Sequence, residues 1–201
     1  MGSPPQLQTD PERGWLLPRD GVCNLRQKAM KIQLLEDLYI EELKDIHDAE
    51  KKLVRFLGKL AEAATAPELK EAFRAHTKET KNHLERLQKV FDRLGQSPEG
   101  RKCKAMNGLV AEARDFLKEE AELELRDVGL ITAAQKVEHY EIASYGCLSA
   151  YAKLLGFRQD AELLHQTLLE EKAADEKLNL LAKNINLEAA EGETPERTHT
   201  A

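Results

Sequence analysis

Carboxylate and histidine side chains interrupt the apolar faces of four long helical segments in this 201-residue chain. Glu50 stands in the apolar seam of the first segment, where large apolar residues recur at alternating spacings of three and four. His76 and His83 fall on the inner face of the second segment, with Glu79 beside them. Such side chains on an inward face could hold metal ions, because a buried carboxylate without a partner costs several kcal/mol.

The third and fourth long segments carry acidic residues in the same way. Glu138 and Glu141 share a face with apolar residues, and Glu171 and Asp175 do so on the last segment. A buried cluster of carboxylates would be largely protonated at neutral pH unless cations lay between them. We therefore predict a pair of metal ions held by a set drawn from all four segments: Glu50, His76, Glu79, His83, Glu138, Glu141, Glu171 and Asp175.

The spacing of the acidic residues along the chain supports one shared site. Glu50 and Glu79 stand at similar separations before and after the first short turn, near position 66. Glu141 and Glu171 are placed in the same way around the second short turn, near position 157. Because every helical residue adds the same rise of about 1.5 Å, each pair is expected at nearly the same height on its hairpin. This near repeat indicates a weak internal duplication, with one half-site per hairpin.

Each of these residues also has an ordinary structural interpretation. An inward glutamate is more often salt-bridged or partly exposed than a metal ligand, and His76 and His83 could each be hydrogen-bonded core histidines. His139 and Cys103 are expected to have structural roles, and Tyr145 to pack or to donate a hydrogen bond to a ligand. The occurrence of acid on four helices at matching heights favours the metal site.

Five predicted helices position these residues. Apolar periodicity and turn signals place them at about 31–64, from the turn near residue 66 to 94, 103–120, 124–155 and 159–187. Thr65 followed by Glu68 resembles a capping box for the second helix, and Gly95 and Gly156 are favoured helix ends.

The connections between the helices decide the topology. Turns of a few residues force two antiparallel helix hairpins, and the stretch 95–123 is long enough to return the chain along the bundle. Two hairpins joined by one long crossover with a short fifth helix form an all-α, ferritin-like four-helix bundle.

Composition excludes several classes of protein. Charged residues make up 33% and aromatic residues 5%, which is typical of amphipathic helices rather than a β-sandwich. The net charge of −6 without a basic stripe predicts no nucleic-acid partner. The apolar stretches fall short of a membrane span, and no secretory signal is visible. Three widely spaced cysteines indicate a reducing cytoplasm.

Three regions follow from the changes in composition. Residues 1–29 carry four prolines and no helical period, and are predicted to be a disordered leader or a mis-assigned gene start, with Met30 as a candidate initiator. Residues 30–187 are predicted to form the bundle, and 188–201 a flexible tail.

Several motifs resemble the YciE/YciF-like group of ferritin-like bacterial proteins. The most specific is the run Val137-Glu138-His139-Tyr140-Glu141-Ile142-Ala143-Ser144-Tyr145-Gly146, and the others are Asp48-Ala49-Glu50-Lys51, His76-x-x-Glu79-Thr80, Cys103-x-Ala105-Met106-x-Gly108-Leu109 and Glu170-Glu171-Lys172-x-x-Asp175. The likeness covers roughly residues 33–187. It implies a five-helix, homodimeric protein of the bacterial cytoplasm, induced under stress, with a di-iron site and no firmly assigned reaction.

The sequence departs from the wider ferritin and rubrerythrin pattern, which uses Glu-x-x-His on two helices. The corresponding spacings here give Glu79-x-x-Asn82 and Glu171-x-x-Ala174. Three hypotheses therefore stay open. The first is a protein with two irons per chain, or manganese instead, that reacts with oxygen or peroxide. The second is a non-catalytic stress protein whose site is degenerate or only stabilising. The third and weaker one, a metal store in a larger shell, conflicts with the dimer that the resemblance implies.

Overall fold

The computed structural model describes the backbone at residues 7–9, 16–18, 32–119 and 122–191, and the side chains of the last two ranges except at 123 and 124. The described residues belong to two units, one within 1–31 and the other within 32–201. In the first unit, Leu7–Thr9 (β1) pairs antiparallel with Leu16–Pro18 (β2). The rest of the predicted leader, with Met30, lies outside the described residues, as does 192–201 of the predicted tail.

The described part of the second unit, residues 32–119 and 122–191, contains five helices. They are Leu35–Ala63 (α1), Pro67–Leu94 (α2), Lys104–Phe116 (α3), Leu123–Leu154 (α4) and Arg158–Glu191 (α5). Their bounds follow the predicted ones within a few residues, although α1 begins four residues late and α5 continues four residues past residue 187. None of the described helices is long and apolar enough to cross a membrane.

The helices pack as two hairpins side by side. α1 contacts α2, α4 contacts α5, and the hairpins meet through α1 with α4 and α2 with α5. α3 lies on the crossover and packs against α4 and α1. The core is leucine-rich and continuous through all five helices. This architecture confirms the predicted ferritin-like bundle with a long crossover.

Glycine and an inter-helix contact define the helix ends. Gly95 and Gly156 have φ values of 62° and 81°, the left-handed conformation that lets a chain leave a helix without a Cβ clash. At the start of α2, the cap residue is Ala66, with Pro67 at the first helical position and no side-chain cap bond. The predicted capping box is therefore wrong, because the Thr65 side chain is bonded elsewhere.

Asp127 of α4 supplies the missing cap. Its carboxylate, 2% exposed, accepts hydrogen bonds from the backbone N–H groups of Thr65 at 2.8 Å and Ala66 at 2.7 Å, and from the Thr65 hydroxyl at 2.6 Å. A carboxylate at a helix N-terminus also interacts favourably with the helix dipole. This contact fastens the tip of the first hairpin to the start of the second.

Replacing Asp127 with alanine is expected to lower the free energy of unfolding by about 2–4 kcal/mol, because two backbone N–H groups and a hydroxyl lose their acceptor. Urea denaturation measures the change. Asp115→Ala, which removes an exposed acid from α3, is the matched control and should change stability by less than about 0.5 kcal/mol. Equal losses in the two variants would show that Asp127 does not act as a cap.

Candidate metal centre

Six of the eight predicted ligands come together inside the bundle. They form two groups in which one nitrogen or oxygen atom of each residue lies within 4.8 Å of the others: His76, Glu138, Glu141 and Glu171 in the first group, and Glu50, His83 and Glu171 in the second. Every one of the six is at most 5% exposed. Glu171 belongs to both groups, as a residue bridging two ions would.

Helical periodicity explains how α2 contributes two histidines. His76, Thr80, His83 and Leu87 recur at spacings of four, three and four, which places them on one inward stripe. The Thr80 hydroxyl donates to the backbone carbonyl of His76 at 2.8 Å, so this polar residue is satisfied inside the core. The inward stripe therefore leaves both imidazoles facing α4 and α5.

His76 lies between an outer and an inner carboxylate. Its Nδ1 is 3.2 Å from Glu79, whose side chain is 47% exposed, and its Nε2 is 3.2 Å from Glu138 and 3.5 Å from Glu171. Metal-binding histidines commonly have one ring nitrogen held by an outer carboxylate, which fixes the ring and directs the other nitrogen to the metal. Glu79 thus orients His76 rather than joining either ligand group.

His83 has the same arrangement with different partners. Its Nε2 is 2.9 Å from Glu170, and its Nδ1 is 3.0 Å from Glu171 and 3.5 Å from Glu50. Arg86 holds Glu170 by two hydrogen bonds, of 2.5 and 2.8 Å, and so fixes this outer carboxylate in turn. Each of the two histidines is therefore positioned from outside the cluster.

The cluster contains most of the unsatisfied polar atoms in the described part of the chain. Of ten buried side-chain oxygen and nitrogen atoms without a hydrogen bond of good geometry, eight belong to the six clustered residues. Glu171 still has His83 at 3.0 Å, whereas both carboxylate oxygens of Glu141 have neither a hydrogen bond nor an ion pair with any described residue. Native interiors leave few such atoms, and a bound ion is one standard explanation of a group of them. The donor set therefore fits metal ions.

Burial and charge shift the acid–base behaviour of the cluster. Burial, reinforced by the charge of Glu171, raises the pKa of Glu141 well above its usual range. Burial also raises the pKa of Glu171 to about 7, although His83 and His76 oppose the rise. These carboxyl groups gain from a nearby cation, which is the condition a metal ion meets.

The histidines respond to the same carboxylates. Burial alone would lower the pKa of His83, but its contacts with Glu171 and Glu50 outweigh burial and raise the pKa to about 10. The same competition, with Glu138 as the largest opposing charge, raises the pKa of His76 well above its usual value. In the metal-free protein two imidazolium groups therefore balance the carboxylates, and metal binding must displace their protons.

Tyr145 of α4 completes the second group. Its hydroxyl donates a hydrogen bond to Glu50, and its ring lies edge-on to His83 with centroids 6.2 Å apart. Burial, followed by the negative charge of Glu50, raises the pKa of Tyr145 well above its usual value, so the phenol keeps its proton. This hydrogen bond is one of the two roles that the sequence left open for Tyr145, packing being the other.

Tyr145→Phe is expected to destabilise the metal-free protein by about 1–3 kcal/mol, because buried Glu50 loses its hydrogen-bond donor. Thermal unfolding followed by circular dichroism measures the effect. Tyr151→Phe removes a hydroxyl from a partly buried tyrosine on the same helix, outside both ligand groups, and is the control. If the two variants unfold at the same temperature, the Tyr145 hydroxyl contributes nothing to holding Glu50.

Two predicted ligands lie outside both groups. Glu79 faces His76 from the surface side, as described above. Asp175 lies one helical turn beyond Glu171, where it accepts a hydrogen bond from Asn179 at 3.1 Å and lies 3.4 Å from His139. Asp175 therefore belongs to a polar contact between α4 and α5 and not to the ligand groups.

Glu170 is the residue that sequence reasoning missed. Its only signal in the sequence was its position directly before Glu171. When Glu171 faces inward, the preceding residue lies at the edge of the same helix face. Arg86, one turn after His83 on α2, offered the complementary charge. Neither feature identifies the cross-helix contact without the packing of α2 against α5.

Cys103 has a structural role at the start of α3. Its Sγ accepts a hydrogen bond from the Met106 backbone N–H at 3.3 Å and lies 3.0 Å from the Tyr140 hydroxyl, which itself donates to Asp45 at 2.6 Å. The Cys103 backbone N–H donates to Asp48 at 2.8 Å. These contacts attach the crossover to α1 and α4, which agrees with the structural role expected for the thiol.

Comparisons with known proteins give consistent matches. A family model described as a domain of unknown function, DUF892, matches residues 34–191. The Escherichia coli protein YciF is 47% identical over 162 residues, which cover 80% of this chain and 98% of YciF. The crystal structure of the E. coli stress protein YciF matches with a TM-score of 0.74 at 46% identity, over 77% of this chain and 98% of that one.

Two further structures are similar. YcfI from Rhodopseudomonas palustris, described provisionally as a structural protein, has a TM-score of 0.73 at 42% identity, over 75% of this chain and 96% of YcfI. A ferritin-like, diiron-carboxylate protein from Bacillus anthracis has a TM-score of 0.57 at 17% identity, over 73% of this chain and 96% of that one. At that identity the likeness concerns the fold alone.

Proposed function

This chain belongs to the DUF892 family, and we propose that its buried cluster binds two metal ions that share Glu171. The predicted resemblance to YciF-like proteins is confirmed by the same comparisons. The observation that carries the proposal is the pair of buried ligand groups meeting at Glu171, together with the unpartnered carboxylate oxygens of Glu141.

The donor set favours iron, with manganese as the alternative. Each group supplies one imidazole, with three carboxylates in the first group and two in the second. Oxygen-rich sites with some imidazole suit iron and manganese better than metals that prefer thiolate. A bound iron pair would supply electrons to oxygen or hydrogen peroxide. One of these oxidants would then be the substrate, and its removal would be the reaction useful under stress.

The residues of the chain have distinct parts in this proposal. Glu79 and the Arg86–Glu170 pair fix the two imidazole rings from outside. Tyr145 holds Glu50. The six clustered residues are buried, which strengthens the attraction between carboxylates and a bound cation.

Metal content and peroxide consumption test the proposal. Protein purified from its native host should contain two iron or manganese ions per chain by elemental analysis. After anaerobic addition of ferrous iron, it should consume hydrogen peroxide faster than the same iron in buffer. A chain that takes up no metal under either condition would disprove metal binding, and uptake without peroxide consumption would disprove the reaction.

A second candidate is a non-catalytic stress protein in which a metal only stabilises the bundle. Two observations favour it. The protonated histidines compensate the carboxylates without any ion. The Glu-x-x-His spacing is replaced by Glu79-x-x-Asn82 and Glu171-x-x-Ala174. This candidate predicts that metal raises the unfolding temperature while peroxide is left unconsumed.

The homodimer and the cytoplasmic location that the sequence led us to expect remain predictions. Four exposed leucines of α4 and α5 are available for contact with a partner, namely Leu154, Leu169, Leu180 and Leu187. The family resemblance supports a second copy of the chain as that partner.

A further inference from the structure

Solvent comes nearest to the buried cluster on the side of α2 and α5. Four of the six clustered residues are 0% exposed, namely Glu50, His83, Glu141 and Glu171. The other two, His76 at 5% and Glu138 at 1%, both line a gap between α2 and α5. An ion from solution has to reach its ligands from outside, so the exposure of these two residues indicates the side on which it arrives.

The gap runs from the surface into the interior of the bundle. Its lining includes the exposed residues Ala173 and Lys177 at one end and the buried residues Phe73 and Leu178 at the other. The space is open because small side chains occupy four lining positions, namely Ala72, Ala75, Ala173 and Ala174. Its volume is about 190 Å³. One water molecule takes about 30 Å³, so an ion with part of its water shell fits.

Carboxylate groups follow one another along the gap. The side chain of Glu79, 47% exposed, lies 3.2 Å from Nδ1 of His76, and the buried carboxylate of Glu138 lies 3.2 Å from Nε2 of the same ring. Iron and manganese ions bind both carboxylate oxygen and imidazole nitrogen. An ion can therefore pass from Glu79 to His76 and on to Glu138 while it stays in contact with a ligand.

The other charged groups of the lining differ in what they offer an ion. Glu170 is occupied by Arg86, through two hydrogen bonds, and by Nε2 of His83. Lys177 is exposed, and its ammonium group repels a cation at the outer end of the gap. Glu79 is therefore the outer carboxylate best placed to take an ion, and the charge of Lys177 slows the approach.

The second ligand group is set back from the gap. Neither Glu50 nor His83 lines it. Glu50 is covered by Tyr145, whose hydroxyl donates to it, and His83 is covered by Glu170. Glu171 belongs to both groups, so an ion in the first group already contacts a ligand of the second.

We propose that metal ions enter the cluster through the gap between α2 and α5, with Glu79 as the first carboxylate to bind each ion and His76 as the residue that closes the inner end. The first ligand group is filled from the gap, and the second group is filled from the first through Glu171. This inference rests on the proposed function, because ions need a route only if the cluster binds them.

The rates of cobalt(II) uptake and release, followed by visible absorption in a stopped-flow instrument, test the route. Ala174→Leu adds bulk to the lining without removing a ligand atom. It should slow uptake, and release to a chelator, by about tenfold each and leave the equilibrium affinity unchanged, because a barrier on a route affects both directions equally. Ala173→Leu, at the exposed end of the gap, gives the same test if the first variant does not fold.

Ala150→Leu is the matched control, since it adds the same bulk at an exposed position of α4. It should take up and release cobalt like the parent chain. Unchanged rates in both gap variants, with cobalt still bound at equilibrium, would overturn the proposed route.

The charge at the outer end gives a second test. Lys177→Gln removes the repelling ammonium group and should speed cobalt uptake about two- to fivefold at low salt, with the difference disappearing in about 1 M salt. Lys172→Gln neutralises an exposed lysine of α5 outside the lining and should change the rate less. Equal rates in the two variants would contradict the passage of a cation past Lys177.

A different route, between α4 and α5, would pass Asp175, which lies 3.4 Å from His139 and outside the gap lining. Slower cobalt uptake in Asp175→Asn, with normal uptake in Ala174→Leu, would place the entrance there and overturn the proposal. Failure of the parent chain to bind cobalt, iron or manganese at equilibrium would instead refute the proposed function, and the route with it. The equilibrium measurement therefore separates the two failures.

Discussion

Anaerobic addition of two equivalents of ferrous iron is expected to raise the unfolding temperature, and Glu171→Gln to remove most of that rise. Glu171 is the one residue present in both ligand groups, so its loss weakens both ion positions at once. At a free metal concentration of about 100 times the dissociation constant, binding adds about 2.7 kcal/mol. For a domain of this size the corresponding rise is about 5–10 °C. Differential scanning calorimetry with and without metal measures it.

The matched control for Glu171→Gln is Glu176→Gln, which neutralises an exposed acid on the same helix. Its metal-induced rise should equal that of the parent chain. A full rise in Glu171→Gln would show that the two groups do not share this carboxylate. In Glu50→Gln the metal-induced rise in unfolding temperature should fall by about half, because Glu50 belongs only to the second group. Such a result would show that the second group binds one of the two ions.

Local periodicity was sufficient to predict the helices and the general position of the cluster. Apolar residues at spacings of three and four fix which side of each helix is buried, and Gly95 and Gly156 mark where the hairpins end. Short turns and a constant rise per residue predicted that Glu50 and Glu79 lie at one height on the first hairpin, and Glu141 and Glu171 on the second. Glu50, Glu141 and Glu171 enter the ligand groups, and Glu79 does not. These features depend only on neighbours in the chain.

Contacts between distant segments were not predictable in the same way. Glu79 lies at the edge of the inward stripe of α2, half-exposed beside His76. Periodicity alone does not separate a residue in that position from a ligand on the stripe itself. Asp127 and Glu170 bond to residues 61 to 87 positions away. Their partners become apparent only when the rotation of each helix about its axis is fixed by core packing.

Glu141→Gln is expected to stabilise the metal-free protein while weakening its metal binding. Both carboxylate oxygens of Glu141 are buried and unpartnered, and Glu171, Glu50 and Glu138 surround it with like charge. These charges and burial make the folded chain hold a proton on Glu141 at neutral pH, and this proton uptake costs free energy of folding. A neutral amide of similar shape avoids that cost, which we expect to add about 1–3 kcal/mol to the free energy of unfolding. The same change removes a ligand of the first group, so metal should raise the unfolding temperature less than in the parent chain.

The gain in Glu141→Gln should also grow with pH. Burial raises the folded-state pKa of Glu141 well above its unfolded value, so the folded parent holds a proton that the unfolded chain releases. That carboxyl group therefore favours folding at low pH, and its contribution is lost as pH rises through the folded pKa. Glutamine does not titrate, so urea unfolding should show a larger difference near pH 8 than near pH 5. A metal-free Glu141→Gln variant that is less stable than the parent would mean that the Glu141 carboxyl group stabilises the bundle without metal, and would favour the non-catalytic candidate.

A variant that is more stable without metal but binds metal more weakly would instead indicate that Glu141 is retained for the ion. Sites selected for binding often reduce the stability of the empty protein.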